Sequence, residues 1–276
     1  MNHANRDYSE TIRRLELDLI IEELDSSAHV LEIGGGSGFH AAIIASHVKK
    51  CVSIDVSPYP VPRYPVQLYN GVTIPFDDMS FDIIFSSSVL EHVKDLEGLL
   101  YECARVLKPN GVMYHIVPSP VWRIWTSLTY YPALPKVILG NLRNMQSMIF
   151  PASGPSSLKI ENLSKNIRVE HGIRQKLQFI SVSFQQIKFK WIRSILLSPR
   201  HGERGNELSE TLYFRAQWWR AMFAENGWKV EEERPSGLFY SGNALFGHAL
   251  PLQARRRLAQ LLGSSTRLFK VVKLQR

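Results

Sequence analysis

Cysteine is nearly missing from this chain, with two residues, Cys51 and Cys103, among 276. Two thiols make no disulfide framework, and no Cys/His spacing of the metal-cluster kind accompanies them, so a reducing compartment and no metal are expected. Also missing is any apolar run of about 18 residues, the length a membrane-spanning helix needs. The opening "MNHANRDYSE" has no basic segment followed by an apolar one. A secretory leader is therefore not expected, and the cytoplasm is the expected address. Basic residues are scarce in one half and acidic residues in the other. Residues 1–120 hold 9 Lys and Arg against 16 Asp and Glu, and the remainder holds 24 against 9. That split suits an anionic partner for the second half, or a solvated basic face with no partner.

What the chain does contain is alternation. "SETIRRLELDLIIEEL" puts Ile12, Leu15, Leu19, Ile20 and Leu24 on one helical stripe, and "HVLEI" then reads as a short buried strand. A glycine turn leads to a helix "FHAAIIASHV", a strand "CVSIDVS", a proline-rich passage and a third strand "FDIIFSSS". The helix "DLEGLLYECARVL", a turn "KPNG" and a strand "VMYHIV" follow. Strands alternating with helices predict an α/β fold with a doubly wound, mostly parallel, Rossmann-like sheet. Ligands of such sheets sit beyond the carboxyl ends of the strands, where Glu32, Asp55 and Ser86–Ser88 fall.

The stretch "VLEIGGGSGFH" ends an apolar run on a carboxylate and then sets four glycines within five residues. A tight strand-to-helix turn accounts for some of this; close approach of a ligand to the backbone accounts for the rest. The dinucleotide pattern G-x-G-x-x-G fails, because Phe39 stands at its third glycine, and no Lys-Ser/Thr follows to make a phosphate loop. The spacing present is Glu32, Gly34, Gly36, Gly38, with Asp55 closing the next strand, where a carboxylate can accept both hydroxyls of a ribose.

With "VSIDVS", "TIPFDDMSFDIIFSSSVLEHV" and "LLYECARVLKPNGVMYHIVP" in the same order, residues 28–120 resemble the class I S-adenosylmethionine-dependent methyltransferases. The resemblance implies S-adenosyl-L-methionine as cofactor. Gly34, Gly36 and Gly38 would admit its methionine and ribose parts, Glu32 would position the turn and the amino group, and Asp55 with Val56 would hold the ribose. Asn70, Gly71 and Val72 would contact adenine, with an amide where many relatives carry an acid, and Ser88 would pack the cofactor. His92 is the expected catalytic base and His201, in "SPRHGERGNELSE", a second catalytic or substrate residue. No Asn/Asp-Pro-Pro-Tyr/Phe and no Pro-Cys follows the fourth strand. Without these signatures of nitrogen and cytosine-carbon methylation, oxygen methylation is expected, with amines and carbon acids still open.

These readings divide the chain into an N-terminal helix (1–27), a cofactor-binding core (28–120), a substrate-covering insertion (121–210) and a segment completing the core (211–276). The last contains a basic helical insertion at 236–265. "FRAQWWRAMFAENGWKVEE" predicts a helix with Phe214, Trp218 and Met222 on one stripe, then a strand, and "RLFKVVKL" predicts the final strand. Trp122, Trp125, Tyr130 and Tyr131 stand among Arg123, Lys136 and Arg143, and "LPLQARRRLAQLLG" sets leucines against Arg255–Arg257. Such mixtures suit an anionic membrane surface, a lipid-phosphate acceptor or single-stranded nucleic acid, or a lid with its own small core. A looser resemblance to methyltransferases of bacterial cell-surface polysaccharide assembly implies an anionic small-molecule or glycan acceptor, lipid-linked or nucleotide-linked. The alternatives are an RNA or protein methyltransferase and a non-catalytic S-adenosylmethionine-binding regulator.

Overall fold

The computed structural model of the chain describes residues 3–149, 198–206, 208–241 and 249–274, with side chains from residue 10 onward and, on the longest helix, as far as residue 135. Residues 1–126 with 200–276 form one compact unit, and 127–199 form a second. The sheet and the site described below lie in the first. Most of the expected 121–210 cover, and part of the 236–265 insertion, fall outside the described residues.

Helix α1 (His3–Leu17) ends earlier than its apolar stripe suggested. Leu19 and Ile20 lie in the turn that follows, and Leu24 is the extended cap of the single 3-10 turn after it. Strand β1 (His29–Ile33), helix α2 (Phe39–Ile44) and strand β2 (Lys50–Asp55) come next, and then a strand the sequence did not signal, β3 (Val66–Leu68). Three residues after a proline-rich passage carry too little periodicity to announce a strand. Strand β4 (Phe81–Ser87) runs into a 3-10 turn at 90–92. Helix α3 (Leu96–Val106) is capped by Asp95, whose Oδ1 accepts from Gly98 N–H at 2.9 Å. Strand β5 (Leu107–Pro118) includes the expected "KPNG" turn. Its register against β4 jumps from Phe81↔Leu107 to Ile83↔Val112, so the turn residues are accommodated as a bulge within the strand.

Helix α4 (Pro120–Ile149), short helix α5 (Glu210–Tyr213), helix α6 (Ala216–Glu225), strand β6 (Trp228–Pro235), helix α7 (Leu252–Leu262) and strand β7 (Thr266–Lys273) complete the order. The seven strands lie in the order β3-β2-β1-β4-β5-β7-β6, with β1–β5 parallel to one another and β7 antiparallel to both of its neighbours. Alternate residues of each central strand feed opposite faces. Leu31, Ile33 and Ile84 pack with α3 and α6, while Val30, Ile83 and Phe85 pack with α1 and α2. This is the expected three-layer arrangement, with the chain reversing direction across the sheet between β1 and β4.

Two expected helix faces turn out differently. On α6 the fully buried residues are Trp219 and Phe223, one position along from Trp218 and Met222, which are only partly covered. On α7 the buried residues are Arg255 and Ala259, while Leu261 is 80% exposed. Arg255 donates to the carbonyls of Leu250 and Phe239 at 3.1 and 3.0 Å, which leaves Arg256 and Arg257 as the outward charges of that helix. Cys51 and Cys103 are buried free thiols whose pKa is pushed up to about 12 by burial. Among the described residues, no helix is long and apolar enough to cross a membrane.

Candidate cofactor and acceptor site

The strand-to-helix turn after β1 takes left-handed backbone at Gly34, Gly36 and Gly38, with φ of +78°, +49° and +70°. The two outer positions have no room for a side chain. A Cβ on Gly34 would lie 2.3 Å from Val89 Cγ2, and one on Gly38 would lie 2.7 Å from the backbone N and O of Tyr64. At Gly36 a Cβ would meet nothing within 4 Å, so this backbone faces open space. The turn is tied to β2: Gly34 and Gly35 N–H donate to Ile54 O at 2.8 and 3.0 Å, and Gly36 N–H donates to Asp55 Oδ2 at 2.8 Å.

Glu32 supports this turn from beneath. Its carboxylate is buried, accepting from Ser53 Oγ at 2.6 Å with His40 Nδ1 at 3.4 Å, so it acts on the turn and presents no face to a ligand. The same pair explains a glycine the motif passes over. A Cβ on Gly35 would come within 1.9 Å of Ser53 Oγ.

A pocket of about 1000 Å³ opens at the carboxyl ends of β1, β2 and β4. Of the residues singled out from sequence, Gly34, Asp55, Val56, Asn70, Gly71, Val72, Ser88 and His92 line it; Glu32, Gly36, Gly38 and His201 do not. Asp55 presents its carboxylate there, with Oδ1 accepting from Ser57 N–H at 2.9 Å. Each oxygen therefore keeps acceptor capacity for a hydroxyl. Asn70 Oδ1 accepts from Val72 and Thr73 N–H at 2.9 and 2.8 Å, so its amide oxygen shapes the turn and the NH₂ end is what remains for a ligand. Ser88 has φ +54°, an uncommon conformation for a residue with a Cβ, and it bends the chain out of β4 beside the pocket.

The lining also contains Ile12 and Trp122, named above only for a helical stripe and an aromatic cluster, and three residues that sequence reasoning missed: Arg13 and Glu16 from α1, and Tyr240. Glu16 is buried. Its Oε1 accepts from Tyr240 OH at 3.0 Å and Thr266 Oγ1 at 2.8 Å, and its Oε2 from Ser87 Oγ at 3.2 Å. Burial raises the Glu16 carboxyl pKa against these lowering bonds, and burial together with Glu16 lifts the Tyr240 phenol well above its ordinary value. A carboxylate on an amphipathic helix ordinarily faces water, and nothing in the local pattern marks this one.

His92 and His201 do come together, with ring centroids 4.5 Å apart, and Trp122 packs on His201 at 4.4 Å. The 201–203 loop is held in place by backbone bonds. His201 and Gly202 N–H donate to Glu210 Oε1, and Glu203 N–H donates to Glu91 O at 2.8 Å. Glu210 is itself paired with Arg123 Nε at 2.9 Å, both fully buried. Arg123 thus belongs to the interior and not to an outward basic and aromatic face, which was one of the alternatives its neighbourhood left open.

Left-handed backbone at Gly34, a strand-end carboxylate at Asp55 and a volume of this size fit S-adenosylmethionine, whose positive sulfonium needs no basic cradle. The family described as "Methyltransferase domain" matches residues 31–115. The chain has a class I S-adenosylmethionine-dependent methyltransferase core. A protein of Mycolicibacterium smegmatis named "probable S-adenosylmethionine-dependent methyltransferase" is 31% identical to this core over 99 residues, 33% of this chain and 38% of the relative. A demethylmenaquinone methyltransferase of Tropheryma whipplei (strain Twist) is 33% identical over 91 residues, 30% of this chain and 38% of that protein. The chain thus spans about two fifths of the curated relatives it matches. A chain of the Haloferax volcanii complex between the Trm112 methyltransferase activator and a methyltransferase shares the fold. Its TM-score is 0.51 at 16% identity, over 99% of this chain and 95% of that one. S-adenosylmethionine is the cofactor of such a methyltransferase core, and the glycine turn and Asp55 are the parts of this one that would hold it.

Proposed function

We propose that the protein is an S-adenosylmethionine-dependent methyltransferase acting on an oxygen of a small or sugar-type acceptor, carried on a lipid or a nucleotide. The observation that carries this reading is one pocket lined by two unlike sets of residues. Gly34, Asp55 and the turn at Asn70–Val72 make up one set, and His92, Arg13 and Glu16 the other. When bound, S-adenosylmethionine supplies a methyl group already activated on a sulfonium. What this chain's residues add is placement, which can be worth about 7–11 kcal/mol when a nucleophile is held in line.

Asp55 takes the ribose hydroxyls, and the turn at Asn70–Val72 borders the adenine. Arg13 and Lys94, both lining the pocket, favour an acceptor bearing phosphate or carboxylate. His92 engages the acceptor hydroxyl. Glu16 already accepts three hydroxyl bonds and fixes Tyr240 and Ser87 around it. Arg256 and Arg257 on α7 remain outward to meet an anionic membrane surface.

The test is transfer of labelled methyl from S-adenosylmethionine by the purified full chain into an extract of its source organism, separated into lipid, nucleic-acid, protein and small-molecule fractions. Label in lipid or small molecules, released by mild acid that cleaves sugar phosphates, is the expected result. Label in RNA or protein would replace the acceptor class. No label in any fraction, with cofactor binding shown by calorimetry, would make the protein a non-catalytic binder.

A further inference from the structure

Glu91 is the least satisfied buried charge in the described residues around the pocket. It is 3% exposed, and neither carboxylate oxygen has a hydrogen-bond partner among the described residues. A buried carboxylate in that state is costly unless a cation meets it. Arg204 lines the same small cavity as Glu91. Its guanidinium, however, donates to the carbonyls of Val93 and Lys94 and lies over the Trp218 ring.

What does face Glu91 is a pair of imidazoles. His201 Nε2 is 3.7 Å and His92 Nε2 3.9 Å from the same Oε1, and the three potential ligand atoms lie within 4.8 Å of one another. These separations are too long for hydrogen bonds. Ligands sharing one tetrahedral ion at about 2.0–2.1 Å stand about 3.3 Å apart, so contraction by well under 2 Å closes the set.

The surroundings hold this arrangement rather than merely permit it. Glu91 and His92 belong to one 3-10 turn, and the loop delivering His201 is pinned to Glu91 O and to the buried Glu210–Arg123 pair. A Cβ on Gly202 would lie 2.8 Å from Glu91 O, so only glycine lets this loop approach so closely. Both imidazoles keep solvent access, with side chains 43% and 35% exposed, which leaves an entry path and an open coordination position.

We infer that Glu91, His92 and His201 form a binding site for a divalent first-row transition ion of the zinc type. Two imidazole nitrogens and one carboxylate are the donor set such ions take, with the remaining position open to an oxygen ligand. His92 also lines the pocket, so the ion stands at its edge. The inference rests on the cluster's geometry and stands apart from methyl transfer.

The experiment uses the full chain, freed of metal by chelator dialysis and titrated with Co²⁺, with the visible absorption of the bound ion as readout and Zn²⁺ as competitor. The expected result is one Co²⁺ per chain, displaced by Zn²⁺, with affinity at least tenfold weaker in both His201→Ala and Glu91→Gln. His201 does not line the cofactor pocket, so retained S-adenosylmethionine binding by His201→Ala shows that variant to be folded. No stoichiometric binding of either ion by the wild type, or wild-type affinity in both variants, would overturn the site.

Discussion

The cofactor wall of the pocket comes from one contiguous stretch, Gly34 to Ser88. The other lining residues include Glu16 and Tyr240, bonded across 224 residues of chain, with Thr266 behind them bonded to Glu16 across 250. On the first, backbone does most of the work, through left-handed glycines, N–H groups donated to Asp55 and Ile54, and an Asn70 turn. Among the second, buried side chains do it: Glu16 in its ring of hydroxyls, with the Arg123–Glu210 pair anchoring the 201–203 loop next to it. Backbone geometry of this kind tolerates variation in neighbouring side chains. A network of buried charge does not, since removal of any member strands its partner.

The largest effect that this contrast predicts is for Arg123→Ala. Leaving Glu210 buried without its cation should cost about 3–5 kcal/mol of stability, read by denaturant unfolding, and should free the 201–203 loop from its anchor. A loss below about 1 kcal/mol would mean that the pair is not what anchors this loop.

Next come the glycines, where two substitutions of the same size should act differently. Gly38→Ala drives a Cβ against the Tyr64 backbone at an unfavourable φ and should cost about 2–4 kcal/mol. Gly36→Ala meets nothing in the protein and should cost only about 1–2 kcal/mol, yet weaken S-adenosylmethionine binding at least tenfold by calorimetry. Equal behaviour of the two would remove Gly36 from the cradle.

Asp55→Ala follows, with cofactor affinity expected to fall at least tenfold from loss of a charge-assisted acceptor worth about 1.5–3 kcal/mol. Unchanged affinity in a folded variant would refute the placement of the ribose.

The smallest effect concerns Glu16. Burial raises its pKa above the ordinary 4.5, so the folded protein holds that proton more tightly than the unfolded chain does. The stability linked to this group is full below pH 4.5 and falls as pH rises through the raised value. In Glu16→Gln that decline is absent, so the melting temperature of the variant relative to wild type should climb as pH rises from 4.5 to 7. A pH-independent difference would show that the carboxyl is not perturbed.

The same contrast governs how much of the molecule was legible in the sequence. Strands β1, β2 and β4 and the glycine turn announce themselves through short-range signals: apolar runs, Gly at left-handed positions, and carboxylates at strand ends. Asp55, Asn70 and Ser88 were therefore placed near the pocket before any fold was known, although the hydrogen bonds of Asn70 and the burial of Glu32 were not foreseen. Glu16 and Tyr240 carry no local mark, because what makes them pocket residues is docking of α1 against a strand more than 200 residues away. Arg123 and Arg255 misled in the opposite direction. Guanidinium groups read as surface charge, yet buried carboxylate or carbonyl partners drew both inward. Choosing Trp218 over Trp219 as the buried face of α6 was an error of one residue, which is about 100° around a helix.

Strand β7 sits between β5 and β6, so on the ribosome the sheet remains unfinished while everything from Pro118 to Thr266 is made. At about 5–20 residues per second, the nascent chain exposes the unpaired edge of β5 for on the order of ten seconds. That edge is an open invitation to pairing with another chain. The acidic first half must therefore wait in a partly assembled state for its basic second half, and expression yield should depend on chaperone supply and translation speed more than on the stability of the finished protein.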